Sequence, residues 1–291
     1  MKGIVLAGGS GSRLYPITQV YSKQLALIYD KPLIYYPLSV LMLAEIKDVL
    51  IISNEETIPL YQKLFGDGSH LGMNIQYKLQ PAPNGIAESF ILGKEFIGDD
   101  SVTLVLGDNI FFGDLEFLYK AVKDNKEGAT IFGYRVTDPE RYGIVQFDKS
   151  GRVLSIEEKP KLPKSNYAVP GIYIYDNEVV KISENLTPSA RGELEITDVN
   201  NVYLNKGSLK VEIIGRGVAW LDTGTPQALL QASNFFGVIE ERQGLKVACV
   251  EEIAFAKNFI SETEFEKLIN SIPKCAYRSY LEKVLADYKG N

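Results

Sequence analysis

Short, continuous apolar runs alternate with amphipathic segments along the first half of the chain. Runs of four to eight apolar residues are typical of strands buried on both faces, and apolar positions three or four apart are typical of helices. The predicted strands are residues 3–7, 49–53, 75–79, 102–106 and 129–136. The predicted helices are residues 34–46, 57–65, 86–96 and 114–125. This alternation predicts an α/β fold whose mostly parallel sheet is covered by helices on both faces.

The pattern changes after residue 136, where strands follow one another with little helical spacing between them. The predicted strands here are 143–148, 152–158, 168–175 and 209–214. The predicted helices are 194–205, 226–242, 262–270 and 276–287. Because no linker rich in Pro, Gly or Ser divides the chain, we predict one α/β domain over 1–240 with a mixed-sheet insertion, followed by a helical C-terminal segment at 241–291.

Composition narrows the possible chemistry. Apolar residues make up 45% of the 291 residues, which is enough for a large core. The net charge of −6 lacks the basic footprint of a nucleic-acid-binding protein, so no nucleic acid partner is expected. One histidine, His70, and two cysteines exclude zinc sites built from two or more histidines or from four cysteines. Any catalysis is therefore expected to rest on carboxylates, Lys, Arg and backbone amides, with or without an oxygen-ligated cation.

The chain has no sequence signature of a membrane or secreted protein. Residues 1–7 lack a signal-peptide pattern, and the densest apolar helical stretch, 38–46, is too short to span a bilayer. Cys249 and Cys275 are far apart and are interpreted as structural thiols of a reducing compartment. We expect a cytoplasmic protein without membrane contact, with His70 in an exposed glycine-containing loop.

A glycine loop follows the first predicted strand. Residues 6–16 read Leu-Ala-Gly-Gly-Ser-Gly-Ser-Arg-Leu-Tyr-Pro. A glycine loop at a strand end lets backbone N–H groups approach phosphates, and Arg13 and Lys23 supply positive charge nearby. The loop has no Gly-Lys pair as in a P-loop, and Leu14 stands where a dinucleotide fingerprint has its third glycine. A tight turn with a surface arginine remains the alternative interpretation.

Two aspartates and one glutamine are further candidates, each with a simpler structural explanation. Asp108 follows the strand 102–106, and ligands of open α/β sheets bind at the carboxyl ends of strands. Mg²⁺ prefers carboxylate and phosphate oxygens, although Asp108 and Asp222 are also ordinary turn or capping residues. Gln80 starts a Gln-Pro-x-Pro-x-Gly loop, and its amide is able to pair with a pyrimidine edge or to lie exposed in a turn.

Together, ordered motifs make the chain recognisable. It resembles the sugar-nucleotide pyrophosphorylases, and among them the short, tetrameric glucose-1-phosphate thymidylyltransferases. The motifs are the glycine loop with Lys23-Gln24, residues 29–37, 80–85, 106–110, 138–143, 156–160, 190–198 and 220–224. The resemblance covers about residues 3–255. Three departures, Ser12 for Thr, Leu25-Ala-Leu-Ile for Leu-Leu-Pro-Val and Asn84 for Asp, leave the reaction class intact.

The resemblance implies a Rossmann-like nucleotidyltransferase fold, with a nucleotide-binding part at about 1–110 and a sugar-binding part at about 111–225. It implies Mg²⁺-dependent conversion of dTTP and glucose 1-phosphate to dTDP-glucose and pyrophosphate by in-line attack on the α-phosphorus. This is the first step towards dTDP-L-rhamnose and related deoxysugars. It also implies a homotetramer that a downstream dTDP-sugar inhibits at a second site, with the C-terminal segment used in packing or regulation.

The resemblance also assigns roles to residues. The implied catalytic residues are Arg13, Lys23, Lys159, Asp108 and Asp222, the last two as Mg²⁺ ligands. The implied nucleotide-binding residues are Leu6, Gly8, Gly9, Gly11, Ser12, Arg13, Lys23, Gln24, Gln80, Pro81, Gly85 and Asp108, with the amides of the whole loop 8–12 facing phosphates. The implied sugar-phosphate-binding residues are Asn109, Gly143, Glu158, Lys159, Val169, Tyr173, Arg191 and Trp220. For Trp220, a place in the core is an equal alternative.

Three other functions stay open at this point. A uridylyltransferase of the same fold is the nearest, since one methyl contact contributes only about 1–3 kcal/mol. A non-catalytic nucleotide-sugar sensor would be expected to lack the metal carboxylates or Lys159, yet all are present. A Rossmann dehydrogenase is disfavoured by the missing third glycine.

Overall fold

A computed structural model of the chain describes residues 1–9 and 11–290. The strands are β1 Lys2–Leu6, β2 Leu27–Ile28, β3 Lys31–Pro32, β4 Asp48–Ser53, β5 Asn74–Leu79, β6 Val102–Leu106, β7 Asn109–Phe112, β8 Ala129–Arg135, β9 Gly143–Phe147, β10 Val153–Glu158, β11 Tyr167–Ala168, β12 Ile172–Tyr175, β13 Leu209–Ile213 and β14 Ala219–Asp222. The α-helices are α1 Tyr35–Leu43, α2 Ile58–Phe65, α3 Glu88–Leu92, α4 Lys94–Ile97, α5 Glu116–Asp124, α6 Glu178–Glu184, α7 Ile196–Lys206, α8 Pro226–Gln243, α9 Val250–Ala256, α10 Glu262–Ser271 and α11 Ala276–Gly290.

The centre of the sheet is parallel, as the alternating pattern predicted. Strands β5, β4, β1 and β6 lie side by side in that order, and all run in the same direction. The chain moves to one side of β1 for β4 and β5 and then crosses to the other side for β6. The strand order therefore reverses between β1 and β6, where open α/β sheets bind ligands. The Gly107 N–H donates to the Leu6 carbonyl at 2.8 Å, which holds the loops after β1 and β6 together.

The sheet forks beyond β6. Strands β11 and β12 both pair antiparallel with β8, but β11 has β9 on its other edge, whereas β12 has β6. Residues 169–171 interrupt the pairing between them, so the single strand predicted at 168–175 is wrong. Strand β13 pairs parallel with β8. The fork separates the β9–β10 hairpin from the parallel strands, which leaves room for a cleft.

A two-stranded ribbon that the sequence pattern missed joins distant parts of the chain. Strands β7 and β14 pair antiparallel, and Asn109 lies opposite Asp222. Each strand has only four residues, which is too short for a recognisable alternation of apolar and polar residues. The ribbon brings the segment after β6 next to residues more than 100 positions further along the chain.

Several other boundaries differ from the prediction. The predicted helix 86–96 breaks at Gly93 into α3 and α4, and helices α6 and α9 were not predicted. Helix α8 runs through residue 240, so the predicted domain boundary lies inside a helix. Phe265 and Leu281 of the C-terminal helices share a core cluster with Val5 of β1.

The structure also shows where the single histidine and the two cysteines lie. His70 is exposed in a short turn, as expected. Cys249 is buried, but Cys275 is exposed and is not a core thiol. Within the described part of the chain, none of the helices combines the length and the apolar character that crossing a bilayer requires.

Candidate active site

Two adjoining cavities lie at the carboxyl ends of β1 and β6 and in the fork of the sheet. The larger has a volume of about 740 Å³ and the smaller about 210 Å³. Ser12, Arg13 and Asp108 line both cavities. The two cavities therefore form one cleft, with the glycine loop at one end and the β9–β10 hairpin at the other.

Glycines form much of the smaller cavity. Gly8, Gly9 and Gly11 line it, and Gly9 and Gly11 have φ values of +103° and +55°. L-residues with side chains rarely adopt these conformations, and a Cβ on Gly11 would lie 2.7 Å from Cγ2 of Thr18. The loop therefore exposes backbone to the cavity, as expected for a phosphate cradle. Ser10, which belongs to the predicted set of loop amides, lies outside the described residues.

Lys23 and Asp108 form an ion pair on the cavity wall. The Lys23 side chain is buried, and its Nζ lies 2.8 Å from Oδ2 of Asp108. Burial alone would raise the pKa of the Asp108 carboxyl, but the adjacent Lys23 ammonium and the hydrogen bonds from Lys23, Asn109 and the backbone together outweigh it, and the pKa falls below its ordinary value. The neighbouring Gln24 donates through Nε2 to the Gly8 carbonyl at 3.3 Å. The Lys23–Gln24 segment therefore connects the glycine loop to the end of β6.

Asp222, at the end of β14 in the β7–β14 ribbon, lines the larger cavity, which Asp108 also lines. Burial raises the pKa of Asp222, and the negative charge of Asp108 raises it further, against the opposing charges of Lys23, Arg13 and Arg141. Nη2 of Arg141 lies 3.2 Å from Oδ2 of Asp222. Arg141 was not among the predicted site residues, although its motif, 138–143, had been recognised. Its partner lies 81 positions away, which no local pattern indicates.

The carboxylates of Asp108 and Asp222 repel each other, and a bound divalent cation would offset that repulsion. They line one cavity, and their mutual repulsion contributes to the raised pKa of Asp222. Among the described residues, no group of three or more His, Cys, Asp or Glu side chains is close enough to hold a metal ion. Mg²⁺ commonly takes one or two carboxylates together with substrate phosphate oxygens and water. Asp108 and Asp222 are thus able to hold such an ion together with a bound phosphate.

Asn109 organises the centre of the cleft more than it offers free groups to a ligand. Its Oδ1 accepts from the Gly171 N–H at 2.9 Å and from Nε1 of Trp220 at 2.6 Å. Its Nδ2 donates to Oδ1 of Asp108 at 2.8 Å. A Cβ on Gly171 would lie 2.8 Å from Cγ of Asn109, so this close approach requires glycine. Asn109 therefore fixes Asp108 and Trp220 relative to the fork.

The far end of the larger cavity carries both signs of charge. Lys159 and Arg191 line it, and Oε1 of Glu158 lies 3.4 Å from Nζ of Lys159 and 3.7 Å from Nη2 of Arg191. Oε2 of Glu158 accepts from the Thr197 hydroxyl at 2.8 Å. A Cβ on Gly143 would approach Oε2 of Glu158 to 3.2 Å. The predicted sugar-phosphate residues are therefore together, with Thr197 as an additional neighbour.

Lys159 has an unusual backbone conformation. Its φ is +43°, in the left-handed region that residues with side chains rarely adopt. Its N–H donates to the Tyr142 carbonyl at 3.0 Å, and half of its side chain is exposed. Strained residues of this kind concentrate at functional sites, where surrounding structure holds them in place.

Aromatic and backbone groups complete the wall. Trp220 is 9% exposed, packs against the rings of Tyr134 and Tyr142, and lines the cavity, so it is both core and wall. Burial, together with the negative charges of Glu158 and Asp108, raises the pKa of Tyr173 far above its ordinary value. The Val169 N–H donates to the Gly143 carbonyl at 2.8 Å. Gly143 and Val169, two of the predicted sugar-phosphate residues, are therefore linked to each other by this bond.

The predicted base-recognition residues lie beside the glycine loop. Gln80 is buried, and a Cβ on Gly8 would lie 2.8 Å from its Oε1. Gly85 has a φ of +109°, and a Cβ there would lie 2.3 Å from the Leu194 carbonyl oxygen. Ile86, which follows Gly85, lines the larger cavity. The described residues that line the two cavities do not include Leu6, Gln80, Pro81 or Gly85. Gly85 is thus required for packing against Leu194.

Comparisons with known proteins identify the family of this chain. The family model for nucleotidyl transferases matches residues 2–238. The chain therefore belongs to the nucleotidyl transferase family. A glucose-1-phosphate thymidylyltransferase of Neisseria gonorrhoeae is 53% identical over 97% of this chain and 98% of its own length. One of Mycobacterium tuberculosis is 52% identical over 98% and 99%.

Solved structures show the same fold. A candidate glucose-1-phosphate thymidylyltransferase of Bacillus anthracis, crystallised with sucrose, is 42% identical with a TM-score of 0.75, over 81% of this chain and 94% of its own. A UDP-glucose pyrophosphorylase bound to UDP-glucose has a TM-score of 0.71 at 22% identity, which supports the fold alone. The resemblance to glucose-1-phosphate thymidylyltransferases is thus confirmed, and the reaction class is nucleotidyl transfer.

Proposed function

We propose that the cleft transfers a thymidylyl group from dTTP to glucose 1-phosphate. An oxygen of the sugar phosphate bonds to the α-phosphorus of dTTP while the bond from that phosphorus to the pyrophosphate oxygen breaks. The products are dTDP-glucose and pyrophosphate. The attacking phosphate is already anionic at neutral pH, so the reaction needs no histidine base.

One observation carries this proposal: carboxylates and cations converge from distant elements on one cleft. Asp108 and Asp222 line the larger cavity together with Arg13 and Lys159. Bringing two anionic substrates together is the main obstacle to nucleotidyl transfer, so positioning and charge neutralisation lower most of the barrier.

The residues divide this work. The glycine-loop amides and Arg13 bind the β- and γ-phosphates and stabilise the leaving pyrophosphate. Lys23, fixed by its ion pair with Asp108, neutralises the α-phosphate. Lys159 binds the sugar phosphate, and Arg191 assists at the rim, where its side chain is partly exposed. A Mg²⁺ ion held by Asp108 and Asp222 would supply further positive charge at the α-phosphate.

The proposed preference for thymine is supported by the relatives, which are named thymidylyltransferases. Gln80 is the base-recognising side chain in this proposal, through its amide. A uridylyltransferase of the same fold is the alternative, and nucleotide competition separates the two.

We also propose that the chain acts in the cytoplasm as a homotetramer that a downstream dTDP-sugar inhibits, at the first step towards dTDP-L-rhamnose. The family resemblance supports this assembly, and so do the exposed apolar side chains Leu230 and Val238 on α8 and Leu27 on β2. Light scattering of the purified chain should give four times the monomer mass. A monomer at micromolar concentration would contradict it.

The function is tested by pyrophosphate release from dTTP and glucose 1-phosphate. We expect release with Mg²⁺, loss of release with excess EDTA, and restoration when Mg²⁺ is added back. The kcat/KM for dTTP should exceed that for UTP. Binding without turnover would favour a nucleotide-sugar sensor, and a clear preference for UTP would favour the uridylyltransferase.

A further inference from the structure

The side-chain amide of Gln80 is held by a carboxylate that the proposed reaction does not use. Nε2 of Gln80 donates to Oε2 of Glu88 at 2.8 Å, and Nδ2 of Asn84 donates to Oε1 of Glu88 at 2.8 Å. Both oxygens of Glu88 therefore accept from side-chain amides. A carboxylate accepts hydrogen bonds and has no proton to donate, so the nitrogen of the Gln80 amide must face Glu88.

The oxygen of the same amide must then face the opposite way. It does so: a Cβ built on Gly8 would lie only 2.8 Å from Oε1 of Gln80. Gly8 lines the smaller cavity, and Gln80 itself is 6% exposed. The amide therefore presents its oxygen on the side of the glycine loop, and its nitrogen, with one N–H bonded to Glu88, on the other side.

We propose that Glu88 is a positioning residue for base selection: it locks the Gln80 amide so that only its oxygen faces the nucleotide. This inference rests on the proposed function, in which Gln80 reads the base. Thymine and uracil carry an N–H at N3, which the oxygen is able to accept. Cytosine carries a lone pair at N3, so two acceptors would face each other, and an unpaired buried acceptor is costly.

Asn84 is the residue type that this arrangement requires. An aspartate in its place, which the resembled family usually has, would set a second carboxylate against Glu88. The segment is also held by backbone bonds, since the Asn84 carbonyl accepts from the Leu194 N–H at 2.7 Å and the Ala87 N–H donates to the Leu194 carbonyl at 3.2 Å. Asn84 and Glu88 are therefore matched as donor and acceptor on a fixed turn.

The test is Glu88→Gln, measured as kcat/KM with dTTP, dUTP and dCTP. The glutamine amide that replaces the carboxylate is able both to donate and to accept, so the Gln80 amide becomes free to turn over. We expect the ratio of kcat/KM for dTTP to kcat/KM for dCTP, the dTTP:dCTP ratio, to fall by about tenfold or more, which is the effect of one mispaired hydrogen bond. The dTTP:dUTP ratio should stay within about twofold, because both bases present the same N3–H.

A double variant tests the same logic in the opposite direction. In Asn84→Asp/Glu88→Gln, the carboxylate introduced in place of Asn84 accepts from the amide nitrogen introduced in place of Glu88. The oxygen of that new amide must then face Gln80 again, so the dTTP:dCTP ratio should return to within about twofold of the wild-type ratio. The matched control is Glu95→Gln, which removes the same charge from an exposed position on α4 and should leave all ratios unchanged.

Each outcome decides the point. An unchanged dTTP:dCTP ratio in Glu88→Gln, or an equal fall in both ratios, would overturn the positioning role. If the single variant is inactive or unfolded, the dTTP:dCTP ratio of the double variant is the deciding result. The dissociation constants for dTTP and dCTP are then the second measurement. A wild-type protein that turns over no dTTP contradicts the proposed function instead, so the two failures are distinct.

Discussion

Removing the ammonium of Lys23 should impair both catalysis and stability, by separable amounts. The substitution Lys23→Met keeps the length of the side chain and removes its charge. Nζ of Lys23 lies 2.8 Å from Asp108, which is the geometry of a charge-assisted hydrogen bond. We expect kcat for pyrophosphate release to fall by about 10² or more, the usual cost of losing one preorganised charge partner.

The stability cost follows from the exposure of the partner. Breaking a fully buried ion pair costs about 3–5 kcal/mol. The Asp108 side chain is 29% exposed, so water is able to hydrate part of the remaining charge. The expected destabilisation is therefore about 2 kcal/mol, or about 3–5 °C in Tm for a chain of this length.

The pH profile gives an independent readout. Lys23 is the charge that brings the pKa of Asp108 below its ordinary value against burial. Without it, burial is opposed only by the hydrogen bonds from Asn109 and the backbone, so the pKa of Asp108 rises and the acid limb of kcat/KM should move to higher pH. The control is Lys120→Met, which breaks an exposed ion pair on α5 and should change neither rate nor Tm. Wild-type turnover in Lys23→Met, with an unmoved acid limb, would refute the role of Lys23.

Three further predictions concern other parts of the chain. Asp222→Asn should lower kcat by about 10². In the wild type, Mg²⁺ affinity should fall as the pH drops through the raised pKa of Asp222, and the variant should lose this fall. Mg²⁺ titrations that are the same in both proteins would contradict this. His70→Ala should keep turnover within a few-fold, because His70 is exposed in a remote turn; a thousandfold loss would overturn that assignment. Glu240→Gln should destabilise the fold by about 2–3 kcal/mol in urea unfolding, since Glu240 pairs with the buried Lys31; a loss below about 0.5 kcal/mol would argue against it.

The elements that local pattern determines were predictable. Strands β1, β4, β6 and β8 are largely apolar runs, β5 alternates apolar with polar residues, and each lies within a residue or two of its prediction. The parallel order follows from their alternation with helices. Because ligands of such sheets bind at the strand ends, the glycine loop and Asp108 could also be placed from sequence.

Features that depend on distant pairing were not predictable. The strand at 168–175 divides because its two halves pair with different strands, β9 and β6, and the sequence of 168–175 does not show which strand each half meets. Asp222 reaches Asp108 only because β14 pairs with β7. Arg141 bonds to Asp222, a partner 81 positions away that only the folded chain brings close. The residue types at the site were therefore readable, whereas their mutual geometry was not.

The most direct test of the central claim is the stereochemical course at the α-phosphorus. The cleft is proposed to hold both substrates at once, so that the sugar phosphate displaces pyrophosphate in a single in-line step. With one diastereomer of dTTP that carries sulfur on the α-phosphorus, ³¹P NMR of the sugar-nucleotide product should show inversion of configuration. Retention would mean two successive displacements through an enzyme-bound nucleotidyl group and would contradict the account.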